Sequence, residues 1–267
     1  MKRGIIVETK SALEIKDLRK SFGSKNVLNG VNIEVYRGEI IGYIGPNGAG
    51  KSTTVKLILG LLEDYDGEIK VLGENIKNSD GSYKKRIGYV PEVADVYESL
   101  TAKEYLTFIG QLYGMEYDDI DKKAKELMEV FNVGESYNSR LSNFSKGMKQ
   151  KVMIIASILH NPDILFWDEP LSGLDANIIM IVKELLEELA SKGKTIFYSS
   201  HIMDVVEKIS DRIILINEGT VIADGTFEEL KLQINEGSLE NIFNELTGFS
   251  MHKETAKKII SIVEGEV

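Results

Sequence analysis

Apolar and polar residues alternate one by one from Leu13 to Leu18 and again from Val31 to Val35, the two-residue period of strands with one buried face. Gly23 and Gly30 predict turns joining the two. From Glu39 to Ile44 the alternation gives way to an apolar run, as expected of a strand covered on both faces. The period then changes: Val55, Ile58, Leu59 and Leu62 recur at helical spacing, so a helix should open near Lys51. Glu68 to Leu72 and Ile87 to Val90, each bounded by glycine or proline, read as further strands.

Helical periodicity dominates the next stretch. Thr101 to Glu104 has capping-box spacing, and the helix it opens should bury Tyr105, Phe108, Ile109 and Leu112 before stopping at Gly114. A second helix, from about Ile120 to Phe131, carries Ile120, Ala124, Leu127, Met128 and Phe131 on one stripe. A third runs from Ser145 to His160 with Val152, Ile155, Ala156 and Leu159 inward. Strands resume within Asp163 to Pro170, where a buried run ends in two adjacent acids, and at Thr195 to Ser200, separated by a helix that reaches about Ser191 and stops at Gly193. Ile213 to Ile216 and Thr220 to Ala223 make a hairpin about Asn217-Glu218-Gly219. Leu239, Ile242, Phe243 and Leu246 mark a tail helix, and a weaker one is expected near Ala256 to Val263. The pattern is that of an α/β protein with a helical insert over about 93 to 160.

Between the apolar strand and its helix lies Gly45-Pro46-Asn47-Gly48-Ala49-Gly50-Lys51-Ser52, a match to G-x-x-x-x-G-K-[ST] in the strand-to-helix context that gives the motif meaning. Gly45, Gly48 and Gly50 should admit conformations closed to residues with a Cβ, letting successive N–H groups turn inward around a polyphosphate. The helix N-terminus adds unpaired N–H groups and partial positive charge. Lys51 would bridge the β and γ phosphates, Ser52 would offer its hydroxyl to Mg²⁺, and the Thr53 amide would reach the α phosphate. The strands at 68–72 and 87–90 are expected near this nucleotide.

Composition narrows the class. The 267 residues suffice for one large domain or two small ones, and the 43% hydrophobic and 28% charged content is that of a soluble globular protein. With no cysteine there are neither disulfides nor thiolate metal sites. Net charge is −10, from 42 acidic and 32 basic residues, which argues against sequence-independent binding to nucleic acid. Gly4 to Val7 is too short for a signal-peptide core and no run approaches a membrane span, so a cytosolic chain is expected.

Further candidates fall at element ends. Phe22, before a glycine turn, is either a staple under the hairpin or a platform for the adenine ring. Ser145 and Gly147 begin the third insert helix, where a serine serves either as a plain N-cap or as part of an anion site. Asp168 and Glu169 end a buried strand; either they are a solvated strand tip, or Asp168 holds Mg²⁺ and Glu169 polarises the attacking water. His201 ends the strand after them, as a structural residue or a γ-phosphate contact.

Taken in order, these motifs resemble the nucleotide-binding subunit of an ATP-binding cassette (ABC) transporter, over about residues 11 to 247. The phosphate loop resembles the family's Walker A motif, Ile164 to Glu169 its Walker B strand with the catalytic glutamate, Ser172 to Asp175 its D-loop and His201 its switch histidine. Phe144-Ser145-Lys146-Gly147-Met148 stands where the family signature reads Leu-Ser-Gly-Gly-Gln, retaining the serine and second glycine that would touch phosphate. Glu92 replaces the family's loop glutamine and could ligate Mg²⁺ through a carboxylate oxygen. The likeness implies a P-loop NTPase core with an antiparallel β subdomain over 1–92 and 161–230, a helical signature subdomain over 93–160, and a helical tail over 231–267. It implies ATP and Mg²⁺, a homodimer or pseudo-symmetric heterodimer formed through the ATP sites, a separate transmembrane permease, and a place on the inner face of the membrane. Tyr89 to Glu92, Phe144 to Gln150 and Ser238 to Phe243 are similar to bacterial exporters of drugs, bacteriocins or lantibiotics. The alternative is a soluble ABC-type ATPase of an assembly machinery, such as iron–sulfur cluster assembly.

Overall fold

The alternating segments grow into a long hairpin in the computed structural model, which describes residues 11–234, 237–248 and 252–264. Strands β1 (Ser11–Phe22) and β2 (Lys25–Tyr36) pair antiparallel, with Leu13 opposite Val35, Ile15 opposite Ile33 and Leu18 opposite Val31, all buried. Gly23 makes the turn (φ 58), whereas Gly30 lies inside β2 (φ 95), not in a turn as its spacing predicted. It sits where the register slips around Asp17 (φ 45), a bulge that bends the pair.

Strand β3 (Ile40–Ile44) is buried throughout and leads into α1 (Lys51–Ile58), so Leu62 lies beyond the helix end. Strand β4 (Asp66–Val71) pairs with β1 and with the short β5 (Glu74–Asn75), giving a sheet of order β2-β1-β4-β5. Strand β6 (Ile87–Val90) instead joins the second sheet. The insert follows as α2 (Ala102–Leu112), α3 (Tyr117–Val130) and α4 (Lys146–Ile158). After it come β7 (Ile164–Asp168), α5 (Ala176–Ser191), β8 (Thr195–Ser199), α6 (Met203–Ile209), β9 (Arg212–Asn217) and β10 (Thr220–Gly225). Three helices close the described chain, α7 (Phe227–Ile234), α8 (Leu239–Thr247) and α9 (His252–Glu264). The short segment Gly4 to Val7 lies outside the described residues.

The second sheet has the order β10-β9-β3-β8-β7-β6, parallel except for β10. Parallel pairing brings the carboxyl ends of β3, β6, β7 and β8 to one edge, where α/β folds bind ligands. Because strand residues alternate between faces, each buried run serves two cores. Leu165, Trp167, Ile196 and Tyr198 pack toward the helical side, in one cluster with Leu106, Ile120 and Ile155 of the insert and Leu239 and Ile242 of α8. Phe166, Phe197, Tyr43 and Ile214 pack toward α1 and the antiparallel sheet. The Thr101–Glu104 capping box forms in full, but Phe108 and Leu112 are exposed, at 41% and 61%, although their spacing predicted burial. Periodicity marks an apolar face without saying whether this chain covers it.

Candidate active site

The phosphate loop turns sharply because its glycines are needed for different reasons. Gly48 and Gly50 have φ of 80 and 110, unfavourable for a residue with a side chain. Gly45 has no such φ; a Cβ there would overlap the Ile216 carbonyl of β9, so packing rather than backbone conformation demands glycine, contrary to expectation. Gly50 also caps α1 without a side-chain hydrogen bond, and the first helical bond among the described residues is Thr54 N–H to the Gly50 carbonyl, 2.9 Å. Helix geometry therefore leaves the N–H groups of Lys51, Ser52 and Thr53 free to meet an anion. The Lys51 ammonium donates to the carbonyls of Gly45 (2.6 Å) and Pro46 (3.2 Å), and burial lowers its pKa while Asp168, Glu169 and Glu92 oppose the shift.

Strand order then brings distant residues to this loop. Ser52 Oγ donates to Asp168 Oδ2 at 3.2 Å, and the Ser199 hydroxyl donates to Asp168 Oδ1, so a neighbouring strand orients the buried aspartate. Glu169 follows in a left-handed conformation (φ 48). Burial, and then repulsion from Asp168, pushes its carboxyl up to about 7. Its Oε1 is buried without a hydrogen-bond partner among the described residues; His201 Nε2 lies 3.4 Å away without hydrogen-bond alignment. A carboxylate with a pKa near neutrality and an unused acceptor is suited to take a proton from water.

These groups share a cleft of about 260 Å³, lined among others by Asn47, Gly48, Gly50, Lys51, Ser52, Thr53, Glu92, Asp168, Glu169 and His201. Lys25 and Val27 of β2 also line it, and sequence periodicity carried no signal for either. Glu92 arrives from the end of β6, whereas β4, expected near the nucleotide, contributes nothing to the lining. Phe22 is 47% exposed at the end of β1, outside the lining, with the Lys20 ammonium 5.1 Å from its ring centroid. Among the described residues no group of three or more histidine and carboxylate side chains gathers as a metal site. Ser52 and Asp168 nevertheless offer two hard oxygen donors beside the free helix terminus, a set that fits a Mg²⁺ ion completing its shell with phosphate and water.

Ser145 and Gly147 do not line the cleft. Ser145 caps α4, its Oγ accepting from Met148 N–H at 3.2 Å. A Cβ on Gly147 would overlap the Gly173 carbonyl, so this glycine also lets α4 approach the loop after Glu169. Lys146 Nζ donates to Ser172 Oγ (3.0 Å), Gln150 Nε2 donates to the Pro170 carbonyl (3.0 Å), and Lys151 Nζ lies 3.4 Å from Asp175. Sequence reading missed Gln150; the available signal was an uncharged polar residue just ahead of the apolar run Val152 to Ile155.

A glycine loop opening a helix, with an oriented aspartate and a near-neutral glutamate at the next strand end, defines a nucleoside-triphosphate hydrolase of the α/β class. The family profile described as ABC transporter matches residues 28–172. An uncharacterized ABC transporter ATP-binding protein of Methanocaldococcus jannaschii is 35% identical, over 83% of this chain and 80% of that protein. The linearmycin resistance ATP-binding protein LnrL of Bacillus subtilis is 37% identical, over 82% of this chain and 70% of that protein. A solved structure of the ATP binding subunit of an ABC transporter superposes with a TM-score of 0.83 at 36% identity, covering 88% of this chain and 99% of that one. The chain belongs to the ABC transporter family as an ATP-binding subunit, and it is an ATPase. No helix among the described residues is long and apolar enough to cross a membrane.

Proposed function

We propose that this chain powers an exporter of drugs or peptides by pairing head-to-tail with a second copy, or with a pseudo-symmetric partner cassette, and driving a separate transmembrane permease. One observation carries the pairing: the cleft gathers Lys51, Ser52, Asp168, Glu169 and His201 but neither Ser145 nor Gly147 of the same chain. A triphosphate in the cleft would be covered on its open side by Ser145 and Gly147 of the second copy. Within the cleft Lys51 and the loop amides hold the phosphates, and in this reading the exposed Phe22 stacks on the base. Ser52 and Asp168, with Glu92 as a further candidate ligand, would hold Mg²⁺, which supplies charge neutralisation at the phosphate oxygens. Glu169 accepts the proton of a water whose oxygen attacks the γ phosphorus as the bond to the β–γ bridging oxygen breaks, leaving ADP and phosphate. His201 contacts the γ phosphate.

The permease has a candidate dock on the insert. Val93, Tyr97, Phe108 and Leu112 are exposed at 71%, 62%, 41% and 61%, and Tyr97 and Phe108 meet edge to face at 6.0 Å. Val93 and Tyr97 follow Glu92 closely in the chain, so a cytoplasmic helix of the permease seated there would report on the nucleotide and hold the subunit on the inner face of the membrane. In this reading 1–92 and 161–230 act as the nucleotide-binding core, 93–160 as the arm carrying the signature, and 231–267 as a helical tail. Resistance to linearmycin, the role in the name of one relative, favours a drug exporter over the assembly-machinery alternative.

Ser145→Arg tests the pairing. The variant should bind nucleotide as a monomer with nearly unchanged affinity, yet fail to form the ATP-dependent dimer in size-exclusion chromatography with light scattering. A monomer that still hydrolyses ATP at the normal rate would end the shared-site reading.

A further inference from the structure

Gln150 lies within α4 with its side chain wholly buried, on a helix whose other buried residues include Val152, Met153, Ile154 and Ile155. A buried amide is costly unless its hydrogen bonds are made. Only its Nε2 is used, donating to the Pro170 carbonyl at 3.0 Å; Oε1 is buried without a partner among the described residues. Methionine or leucine would fill the space without orphaning an acceptor. Packing alone therefore gives no reason for a glutamine here, but the bond to Pro170 does.

Pro170 directly follows Glu169, whose left-handed backbone persists only where its surroundings impose it. Glu169 N–H donates to the Ser199 carbonyl (3.1 Å), Ser172 N–H donates to the Glu169 carbonyl (3.2 Å), and Gln150 donates to the Pro170 carbonyl. Proline has no N–H, so its carbonyl is its one main-chain hydrogen-bonding group. The first two bonds are main chain to main chain and available to any sequence. Of these main-chain restraints the third alone depends on a side chain, and it comes from the insert; the carboxylate itself accepts from Ser200 Oγ at 3.4 Å.

We propose that Gln150 is a positioning residue for Glu169: it holds the peptide that aims the carboxylate and touches neither nucleotide nor water. The same helix is capped by Ser145, and its first turns meet the loop after Glu169 again at Lys146–Ser172, Gly147–Gly173 and Lys151–Asp175. The start of α4 and this loop thus form one body. A displacement of Ser145 where two copies meet reaches the glutamate of the same chain through Gln150. The inference rests on the reading of Glu169 as the group that activates water.

The test uses the full chain carrying Gln150→Met or Gln150→Leu, which keep the volume and remove the donor. Phosphate release is followed against ATP concentration with magnesium, alongside binding of a fluorescent ATP analogue and thermal unfolding. In at least one variant, kcat should fall about 10- to 100-fold for a misaimed group, with KM and analogue affinity within about twofold and Tm equal or higher. In a Glu169→Gln background, adding Gln150→Met should change residual turnover by less than about twofold, since the two residues act as one unit. Wild-type kcat in both variants overturns the inference, as does a loss confined to KM. So does a loss of equal size in the Glu169→Gln background, which marks a merely structural role. If Glu169→Gln alone turns over normally, the water-activating role itself fails and takes the inference with it; if only the Gln150 variants do, that role stands.

Discussion

Helices α1 and α4 both open where a glycine and a hydroxyl residue promise free N–H groups, yet their starts are finished differently. At α1 the cap is Gly50, with no side-chain bond to the turn, and the exposed amides face the cleft that holds Asp168 and Glu169. At α4 the cap is Ser145, whose hydroxyl already accepts from Met148, and the turn is fastened to the loop 170–175. The first start leaves its amides free toward the chain's own cleft. The second is capped by its own serine and does not line the chain's cleft, which in the proposed pairing leaves it for a phosphate presented by another molecule. Similar local chemistry is thus finished as an open start at α1 and a capped, fastened one at α4, which in the proposed pairing are the resident and the donated half-sites.

The largest effect expected tests the resident half. Glu169→Gln should retain nucleotide binding and lower turnover by about 10²–10⁴, measured as phosphate release, if the glutamate is the general base. Next, Gly50→Ala should weaken nucleotide binding by about tenfold or more, because a side chain there is both strained at φ 110 and within 2.5 Å of Leu28 Cδ2. Titration with a fluorescent analogue would show it, and unchanged affinity would erase the distinction between the two helix starts. Ser145→Ala should act in the opposite sense, sparing the monomer's affinity while costing about 1 kcal/mol of stability in urea unfolding through the lost cap.

The smallest effect is a shift of stability with pH. The folded carboxyl of Glu169 sits at about 7, above its ordinary 4.5, so folding disfavours the charged form. Its contribution is complete below the ordinary value and is lost as pH rises through about 7. In nucleotide-free, magnesium-free buffer, Glu169→Gln should therefore raise Tm relative to wild type more at pH 8 than at pH 5.5. An equal difference at both values would mean that burial does not hold this carboxyl high.

Much of the resident half was legible in the sequence because it is local. The loop from Gly45 to Ser52 is contiguous, and the glycine and lysine spacing states the backbone it needs. The strand before it and the helix after it followed from a change of hydrophobic period. Legibility failed where a reading depended on what lies opposite. Gly30 looked like a turn and proved to be a bulge, because the register slip around Asp17 across the pair decides its role. Phe108 and Leu112 looked like core, because an apolar stripe reads the same whether covered by this chain or left at the surface. Gly45 looked like a backbone requirement and proved to be a packing one, since the crowding comes from Ile216 far along the chain.

Sequence alone determined that a glycine loop would join a buried strand to a helix, and that two acids would end a buried strand, since both demands are met by neighbours along the chain. Tertiary structure decided that Ser52 and Asp168, 116 residues apart, meet at 3.2 Å. It also placed Glu169 in a left-handed turn with its carboxyl raised, and fastened Gln150 to the peptide after it. The physical reason is that a pKa and a buried hydrogen bond depend on desolvation and through-space distance, and both arise only once strand order has brought separate segments to one edge of the sheet.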